Sequence, residues 1–272
     1  MEIDSPTKDK RLAEKKNKTS NHTSPMKKNL TNVLAGWCLV MLLLLGISGC
    51  STTSTPAPER RDLAAIKAEQ AVLTPAQVLA WLQAGNERFV AGKPAPRDRL
   101  YDQRTTAAGQ YPRAVILSCI DSRAPAEFVF DAGIGDIFNA RIAGNIADAD
   151  LVGSMEFACA VSGAKLVVVM GHTSCGAIKG AIDKVELGNL TGLLDKIQPA
   201  VSAVQNVAGE RNSKNVAFVE AVAAANVQLT VDHIRELSPI LRDLESAGKI
   251  QIVGCIYDLE TGRVNFLPAV AK

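Results

Sequence analysis

Two short clusters hold residues that could bind a metal ion. Cys119 and Asp121 lie in Ser-Cys-Ile-Asp-Ser-Arg, which ends at Arg123, and His172 and Cys175 lie in Gly-His-Thr-Ser-Cys-Gly. Two thiolates, one imidazole and one carboxylate are ligand types that tetrahedral Zn²⁺ accepts. The residue types and their spacing therefore predict a zinc site.

Arg123 bears on whether this zinc is structural or catalytic. A structural site usually closes with four protein ligands. Here a guanidinium two positions after Asp121 could pair with the carboxylate through two hydrogen bonds and draw it off the metal. Water in the open position would have its pKa lowered to about 7. The pair therefore favours a site that switches between closed and open coordination, with hydroxide available near neutral pH.

Both clusters follow apolar runs that are typical of buried parallel strands, at residues 114–117 and 166–170. Strand-like segments alternate with helical ones along the chain, which predicts an α/β fold with a mostly parallel central sheet flanked by helices. Parallel strands that end side by side would bring both clusters to one edge of the sheet, where open α/β folds bind their ligands.

The other predicted elements surround these two strands. An N-terminal helix begins at Thr74-Pro75 and runs to residue 92, with apolar residues at helical spacing. Further predicted helices cover 125–130, 151–161, 177–187, 190–207 and 216–237, and further strands cover 137–143, 250–257 and 264–266, the last two as a hairpin. We expect one folded domain over residues 74–272.

Composition and charge are those of a globular protein with a basic leader. Of the 272 residues, 47% are hydrophobic and 21% are charged, enough apolar material for one substantial core. Residues 1–49 carry eight Lys or Arg against four Asp or Glu, which leaves 22 against 24 for the rest. Because the basic excess belongs to the leader, the globular part gives no reason to expect nucleic-acid binding.

Residues 1–49 have the layout of a secretory signal, with two lysines before an apolar run. The run ends in Ile-Ser-Gly-Cys at Cys50, which resembles the lipobox of bacterial lipoproteins and implies cleavage before Cys50 and lipidation of that cysteine. The alternative is an uncleaved membrane anchor, although the run is shorter than the roughly 20 residues of a spanning helix. Met26 is an alternative start of translation.

The expected mature protein is thus anchored through lipid on Cys50 to a membrane of the bacterial cell envelope, facing the periplasm. Residues 50–73, which begin with a polar, proline-containing stretch, would form a flexible tether. Of the six cysteines, two belong to the leader and two to the proposed metal site. Cys159 and Cys255 lie in apolar segments where a buried thiol is expected, so no disulfide framework is predicted.

The two clusters together carry a family resemblance. Cys119-x-Asp121-Ser122-Arg123 followed by His172-x-x-Cys175, with Asn-Ala-Arg-Ile-Ala-Gly-Asn at 139–145 between them, resembles the signature of β-class carbonic anhydrases. The resemblance runs through most of residues 74–258. It implies one Zn²⁺ per subunit on the two cysteines and the histidine, with Asp121 either completing the tetrahedron or pairing with Arg123. In the second state hydroxide attacks CO₂ and bicarbonate leaves.

The resemblance also implies a substrate pocket. Gln110 would donate a hydrogen bond to a substrate oxygen, and the backbone N–H of Gly176 would orient bicarbonate. Phe138 and Ala143 would supply an apolar wall. Phe157 stands where many members of the family have tyrosine, so a hydroxyl partner is missing.

A further departure from the family concerns regulation. Members that bicarbonate inhibits at a separate site carry tryptophan three residues before the first zinc cysteine, where this chain has Ile116. Arg141, the matching arginine of that site, is present. For Arg141 a structural ion pair competes with a substrate role, and without the indole ring we expect the constitutively open type.

The resemblance implies a homodimer or a dimer-based tetramer, with the N-terminal helix around 78–89 packed over the partner and with either the edge strand 250–257 or the first crossover helices against another subunit. Two other functions stay open at this point: hydrolysis of CS₂ or COS on the same scaffold, and a non-catalytic, zinc-stabilised binding module. Retention of Asp121, Arg123 and Gln110 argues against the module, because a purely structural site does not need them.

Overall fold

The computed structural model describes residues 60–268. The predicted leader, the lipobox and Cys50 lie outside these residues. Within the described range no helix is both long enough and apolar enough to cross a lipid bilayer.

The centre of the fold is a five-stranded sheet in the order β2-β1-β3-β4-β5. Its strands are β1 (Ala114–Ser118), β2 (Ile137–Arg141), β3 (Leu166–His172), β4 (Gln251–Tyr257) and β5 (Val264–Phe266). The first four are parallel, and β5 runs antiparallel to β4 as the predicted hairpin. The α/β prediction is confirmed. The edge position expected for strand 250–257 is wrong, because β5 pairs along its outer side and leaves β2 and β5 as the edges.

Helices cover the sheet, and the described residues form α1 (Leu63–Val72), α2 (Pro75–Val90), α3 (Arg99–Thr106), α4 (Ala126–Val129), α5 (Ala149–Glu156), α6 (Gly176–Ile182), α7 (Gly188–Asp195), α8 (Gln198–Ala203), α9 (Val216–Leu237) and α10 (Pro239–Ser246). The single helix predicted over 190–207 is two helices, α7 and α8. Pro199 explains the break, because proline is tolerated in the first turn of α8 but would disrupt the interior of a continuous helix.

The two central strands are buried on both faces. Every residue of β1 and of β3 is buried, as expected for parallel strands covered on each side by helices. One face packs against α2 and α4, and the other against α5, α9 and α10. The alternating side chains of each strand therefore pack into two separate cores, one on each face of the sheet. Only residues at the ends of these strands are available for a functional site.

Helix α2 covers the sheet of its own chain. It begins with a capping box between Thr74 and Gln77, and it buries Val78 and Leu82 completely in the core that contains Ile116. The most buried apolar residues of α2 pack against the sheet of the same subunit. Val78 and Leu82 are therefore covered within their own subunit, and packing of the helix over a partner subunit stays a prediction.

The folded domain also begins earlier than residue 74. Helix α1 lies in the segment that was predicted as tether, and Asp62 caps its first turn. Gln70 is buried, and its side-chain amide donates to the carbonyls of Pro112 (2.6 Å) and Ser162 (2.8 Å). Arg113 donates to Glu69 at 2.7 Å. These polar contacts hold α1 to the domain, and the mainly exposed surface of the helix gives no strong apolar pattern from which to predict it.

Helix α9 approaches the sheet closely at two glycines. A Cβ atom at Gly171 of β3 or at Gly254 of β4 would lie 2.6 Å from a methyl group of Val227. Such a distance is far below van der Waals contact, so neither position accepts a side chain without moving the helix. The two glycines thus set how deeply α9 sits against the carboxyl half of β3.

Candidate metal centre

Three of the predicted ligands meet at the carboxyl ends of β1 and β3. The strands are neighbours, with Ser118 opposite Met170, so Cys119 leaves β1 beside the end of β3. A turn through Ser174 in the left-handed region (φ 53°) then returns the chain to Cys175 at the start of α6. The two Sγ atoms and a ring nitrogen of His172 lie within 4.8 Å of one another, and all three residues are buried.

The histidine is prepared to bind a metal. Its Nδ1 lies 2.9 Å from the carbonyl oxygen of Thr173, which assigns the ring hydrogen to Nδ1. Nε2 is then left with its lone pair, and it is buried without any hydrogen-bond partner. A buried, unsatisfied nitrogen beside two sulfur atoms is the arrangement that Zn²⁺ would satisfy. The residues present therefore fit the predicted metal.

The two thiols influence each other strongly. Their Sγ atoms are 4.0 Å apart, and the Gly144 N–H also donates to the Cys119 sulfur at 3.4 Å. The hydrogen bond from the Cys175 thiol lowers the pKa of Cys119, with smaller help from His172 and Gly144. The same interaction raises the pKa of Cys175, as does burial. The two pKa shifts have opposite directions, so Cys119 is the more readily ionised of the two thiols.

Asp121 lies beside the cluster and is held by Arg123. Arg123 Nε donates to Oδ1 at 2.9 Å, Nη2 donates to Oδ2 at 2.7 Å, and the backbone N–H of the same residue donates to Oδ1 at 2.9 Å. These hydrogen bonds hold the pKa of the Asp121 carboxyl well below its usual range. Oδ2 lies 3.8 Å from His172 Nε2. The carboxylate is thus close to the three-residue cluster but engaged with the guanidinium.

Arg141 makes contacts that the sequence did not suggest. It stands opposite Ser118 in the pairing of β2 with β1. Its Nε donates to the carbonyl oxygen of Cys119 at 2.9 Å, and its Nη2 donates to the carbonyl oxygen of Asp121. The guanidinium therefore braces the backbone of the ligand loop. Hydrogen bonds from a side chain to a distant backbone carbonyl leave no pattern in a sequence. The contact of Arg141 with the ligand loop therefore follows only from the pairing of β2 with β1.

A cavity of about 470 Å³ opens beside the cluster. Ala143 and Gly176, two of the predicted substrate residues, line it together with Cys119 and Asp121. Val185, Leu190 and Leu194 add apolar wall, and Lys179 and Asp183 contribute charge. A mostly apolar space next to the ligands suits a small nonpolar substrate.

The other three predicted substrate residues are not in this cavity. Gln110 is exposed and precedes the amino end of β1. Phe138 stands opposite Val115, four residues before Cys119 and so roughly 13 Å away along the strand direction. Phe157 packs edge-on against Phe138 with ring centroids 6.1 Å apart, and it is 48% exposed. Within one chain these residues lie towards the opposite end of the strands.

The remaining titratable candidates are placed as expected. His233 is exposed on α9, where Nδ1 lies 3.4 Å from a carboxylate oxygen of Glu236. Cys159 and Cys255 are buried free thiols, and burial raises the pKa of Cys159 to about 12. Burial likewise raises the pKa of Cys255. None of these three belongs to the metal cluster among the described residues.

Comparison with known proteins gives a consistent picture. A family model described as carbonic anhydrase matches residues 114–264. Carbonic anhydrase 2 of Mycobacterium tuberculosis is 38% identical over 194 residues, which cover 68% of this chain and 90% of that protein. A carbonic anhydrase of Mycolicibacterium smegmatis is 34% identical over 195 residues, which cover 69% of this chain and 91% of that protein.

Solved structures agree with the sequence relatives. A β-carbonic anhydrase of Aspergillus fumigatus matches with a TM-score of 0.54 at 28% identity, covering 62% of this chain and 82% of that one. One of two tetrameric β-carbonic anhydrases from Sordaria macrospora has the same fold, with a TM-score of 0.55 at 22% identity over 71% of this chain and 94% of that one. With its buried Cys-His-Cys cluster at the strand ends, the chain belongs to the β-class carbonic anhydrase family.

Proposed function

We propose that the protein catalyses the reversible hydration of carbon dioxide to bicarbonate and a proton, with one Zn²⁺ held by Cys119, His172 and Cys175. The observation that carries this proposal is the buried cluster of two Sγ atoms and one unpartnered imidazole nitrogen beside an apolar cavity. Zinc at this position would act as a Lewis acid and lower the pKa of water to about 7.

Asp121 and Arg123 would orient the attacking water. Because three hydrogen bonds from Arg123 hold the Asp121 carboxylate ionised, it can accept a hydrogen bond at neutral pH but cannot act as an acid. Its Oδ2 lies 3.8 Å from His172 Nε2, so the carboxylate is beside the atoms that would hold zinc. If Asp121 turned away from Arg123, it would be available to the metal as a fourth ligand in place of water. The pairing therefore supports the predicted gate.

A second copy of the chain would complete the substrate pocket. Gln110, Phe138 and Phe157 lie away from the cavity of their own chain: Gln110 precedes β1, and the two phenylalanines lie on or next to the outer strand β2. β2 has one unpaired edge, and exposed strand edges invite pairing with another chain. We propose a homodimer or a dimer-based tetramer in which these residues face the partner's cavity. The tetrameric relative from Sordaria macrospora supports an even-numbered assembly.

The proposed location is the bacterial cell envelope, with the protein tethered to a membrane through lipid on Cys50. It is supported by the basic, apolar and small-residue order of the leader. Expression of a Cys50→Ala variant in a bacterial host tests it. Loss of processing and of lipid attachment, seen by mass spectrometry of the membrane fraction, is expected. A fully processed variant would contradict lipidation at this residue.

The activity is tested by measuring CO₂ hydration with the purified, zinc-loaded protein by stopped flow. His172→Ala should abolish both zinc retention and hydration, because it removes the imidazole ligand. Cys159→Ala is the matched control, since it removes a buried thiol that is not in the metal cluster. No hydration by a fully zinc-loaded parent would refute the proposal, and turnover of CS₂ or COS by that protein would identify the alternative enzyme.

A further inference from the structure

The loop at Gly144 and Asn145, next to the Cys119 sulfur, has an unusual backbone conformation. Gly144 has a φ of 71°, and a Cβ atom at this position would lie 2.6 Å from Cδ1 of Ile197. Asn145 follows with a φ of 44°, also in the left-handed region, which asparagine tolerates better than most residues. This backbone conformation points the Gly144 N–H at the Cys119 sulfur, 3.4 Å away.

A side chain from α9 is hydrogen-bonded to the same residue. Asn226 is 3% exposed, and its Nδ2 donates to the carbonyl oxygen of Gly144 at 2.8 Å. Asn226 is 82 residues from Gly144 along the chain, so the contact is purely tertiary. The bond fixes the peptide group that follows Gly144, which contains its carbonyl. The peptide group that precedes Gly144 contains the N–H that donates to the Cys119 sulfur.

The depth of α9 makes this contact possible. Val227, the next residue, fits against Gly171 and Gly254, which lack the Cβ atoms that would hold the helix away. Asn226 is thereby brought to the loop at the carboxyl end of the sheet. Asn226 and Thr230 are the two polar residues among the buried positions of α9, which otherwise include Val222, Val227 and Val231, and of the two it is Asn226 that donates to Gly144.

We propose that Asn226 is a positioning residue for the metal centre: by holding Gly144, it keeps the N–H···S hydrogen bond on Cys119 and so fixes the orientation of that ligand. The inference rests on the proposed zinc site and not on the reaction catalysed there. Groups that orient metal ligands from outside the coordination sphere affect metal affinity by about 10- to 100-fold when they are removed. Asn226 fits this role although it lies on an element that contributes no ligand.

The test compares Asn226→Leu, which keeps the size but removes the donor, with Thr230→Val. Thr230 is one turn further along α9 and 5% exposed, and no hydrogen bond joins it to Gly144, so it controls for a polar-to-apolar change in the same buried surface. Asn226→Ser is a second variant whose shorter side chain cannot reach the carbonyl. The measurements are transfer of zinc to a chelator, the sulfur-to-metal absorption of the Co²⁺-substituted protein, and urea unfolding of the metal-free protein.

We expect both Asn226 variants to release zinc at least 10-fold faster than the parent and to shift the cobalt absorption, while Thr230→Val stays within about 2-fold. Equal metal release and an unchanged spectrum in a folded Asn226 variant would overturn the inference. If Asn226→Leu does not fold, Asn226→Ser decides. Because the readouts are metal release and a spectrum, they remain decisive even if the parent protein does not hydrate CO₂.

Discussion

At the scale of single residues, Arg123 is the clearest point at which to test the gate. Arg123→Ala removes both side-chain hydrogen bonds to the Asp121 carboxylate and leaves only the bond from the backbone N–H of residue 123, so we expect the carboxylate to bind the metal in place of water. Zinc should be retained while CO₂ hydration falls by at least about 100-fold, because the attacking water loses its place and its acceptor. Metal analysis and stopped-flow rates check both parts. Arg242→Ala, an exposed arginine on α10, is the control, and near-parental activity of Arg123→Ala would exclude the gate.

The pH dependence follows from the same pair. Hydrogen bonds from Arg123 depress the pKa of Asp121 in the folded protein, so this group contributes stability above its unfolded pKa of about 3.9 and loses it only as pH falls through the lower folded value. Asp121 therefore stays ionised from pH 5 to 9. We expect the rate of CO₂ hydration to rise smoothly as the pH passes through about 7, which is the pKa of water bound to zinc. A steep, cooperative loss of rate below about pH 8 would contradict the open-type assignment.

A substitution of Ile116 is a poor test of whether this residue marks the constitutively open type. It was expected to mark the open type because it replaces a tryptophan, and the structure places it fully buried against α2. Ile116→Trp would overpack this core, at a cost of about 1–3 kcal/mol. A change in its pH profile would therefore mix regulation with misfolding, and the profile of the unaltered protein is the sounder measurement.

At the scale of elements, the segments with long apolar patterns were predictable from sequence. Strands β1 and β3 and helix α9 lie almost where the pattern put them, because burial on one or both faces leaves a strong periodic signal. Helix α1 was not predicted, since polar contacts hold it to the domain and Gln70 is its one buried residue. The three ligands of the cluster were found because their types and strand-end positions are local properties. The distance of Gln110 from the cavity of its own chain depends on how the strands pair, which local patterns do not contain.

The close packing of α9 on the sheet gives a prediction for Gly254. Gly254→Ala should lower the free energy of unfolding by about 1–3 kcal/mol, because the new methyl group would meet Val227 at 2.6 Å. Urea titration measures this, and Val227→Ala should restore part of the loss in the double variant. Gly153→Ala in α5 is the control, since a Cβ atom there meets nothing within 4 Å. Additive effects of the two exchanges would show that the contact does not limit the helix position.

At the scale of the whole molecule, the exposed aromatic residues near β2 predict the subunit interface. Phe157 is 48% exposed and Phe128 is 61% exposed. Large aromatic side chains with this much exposed surface indicate a surface that binds another protein. Phe157→Lys should weaken the dimer and reduce CO₂ hydration together, by about 10-fold or more at low protein concentration, because each cavity would lose its partner's wall. Light scattering and rates measured over a concentration series check this. Val72→Lys, 77% exposed on α1, is the control, and an intact, fully active Phe157→Lys dimer would place the interface elsewhere.

The 4.0 Å separation of the two sulfur atoms also matters for how the protein is made. The sulfurs are within about 2 Å of disulfide bonding distance, and one of them is readily ionised, so the metal-free chain is open to oxidation in an oxidising compartment. We expect zinc and an oxidant to compete for the same pair of sulfur atoms in the newly made chain. A chain that met zinc first would be protected, and one that met an oxidant first would lose both sulfur ligands to a disulfide until it was reduced. The yield of active enzyme would then depend on the order of these two encounters as much as on the supply of metal.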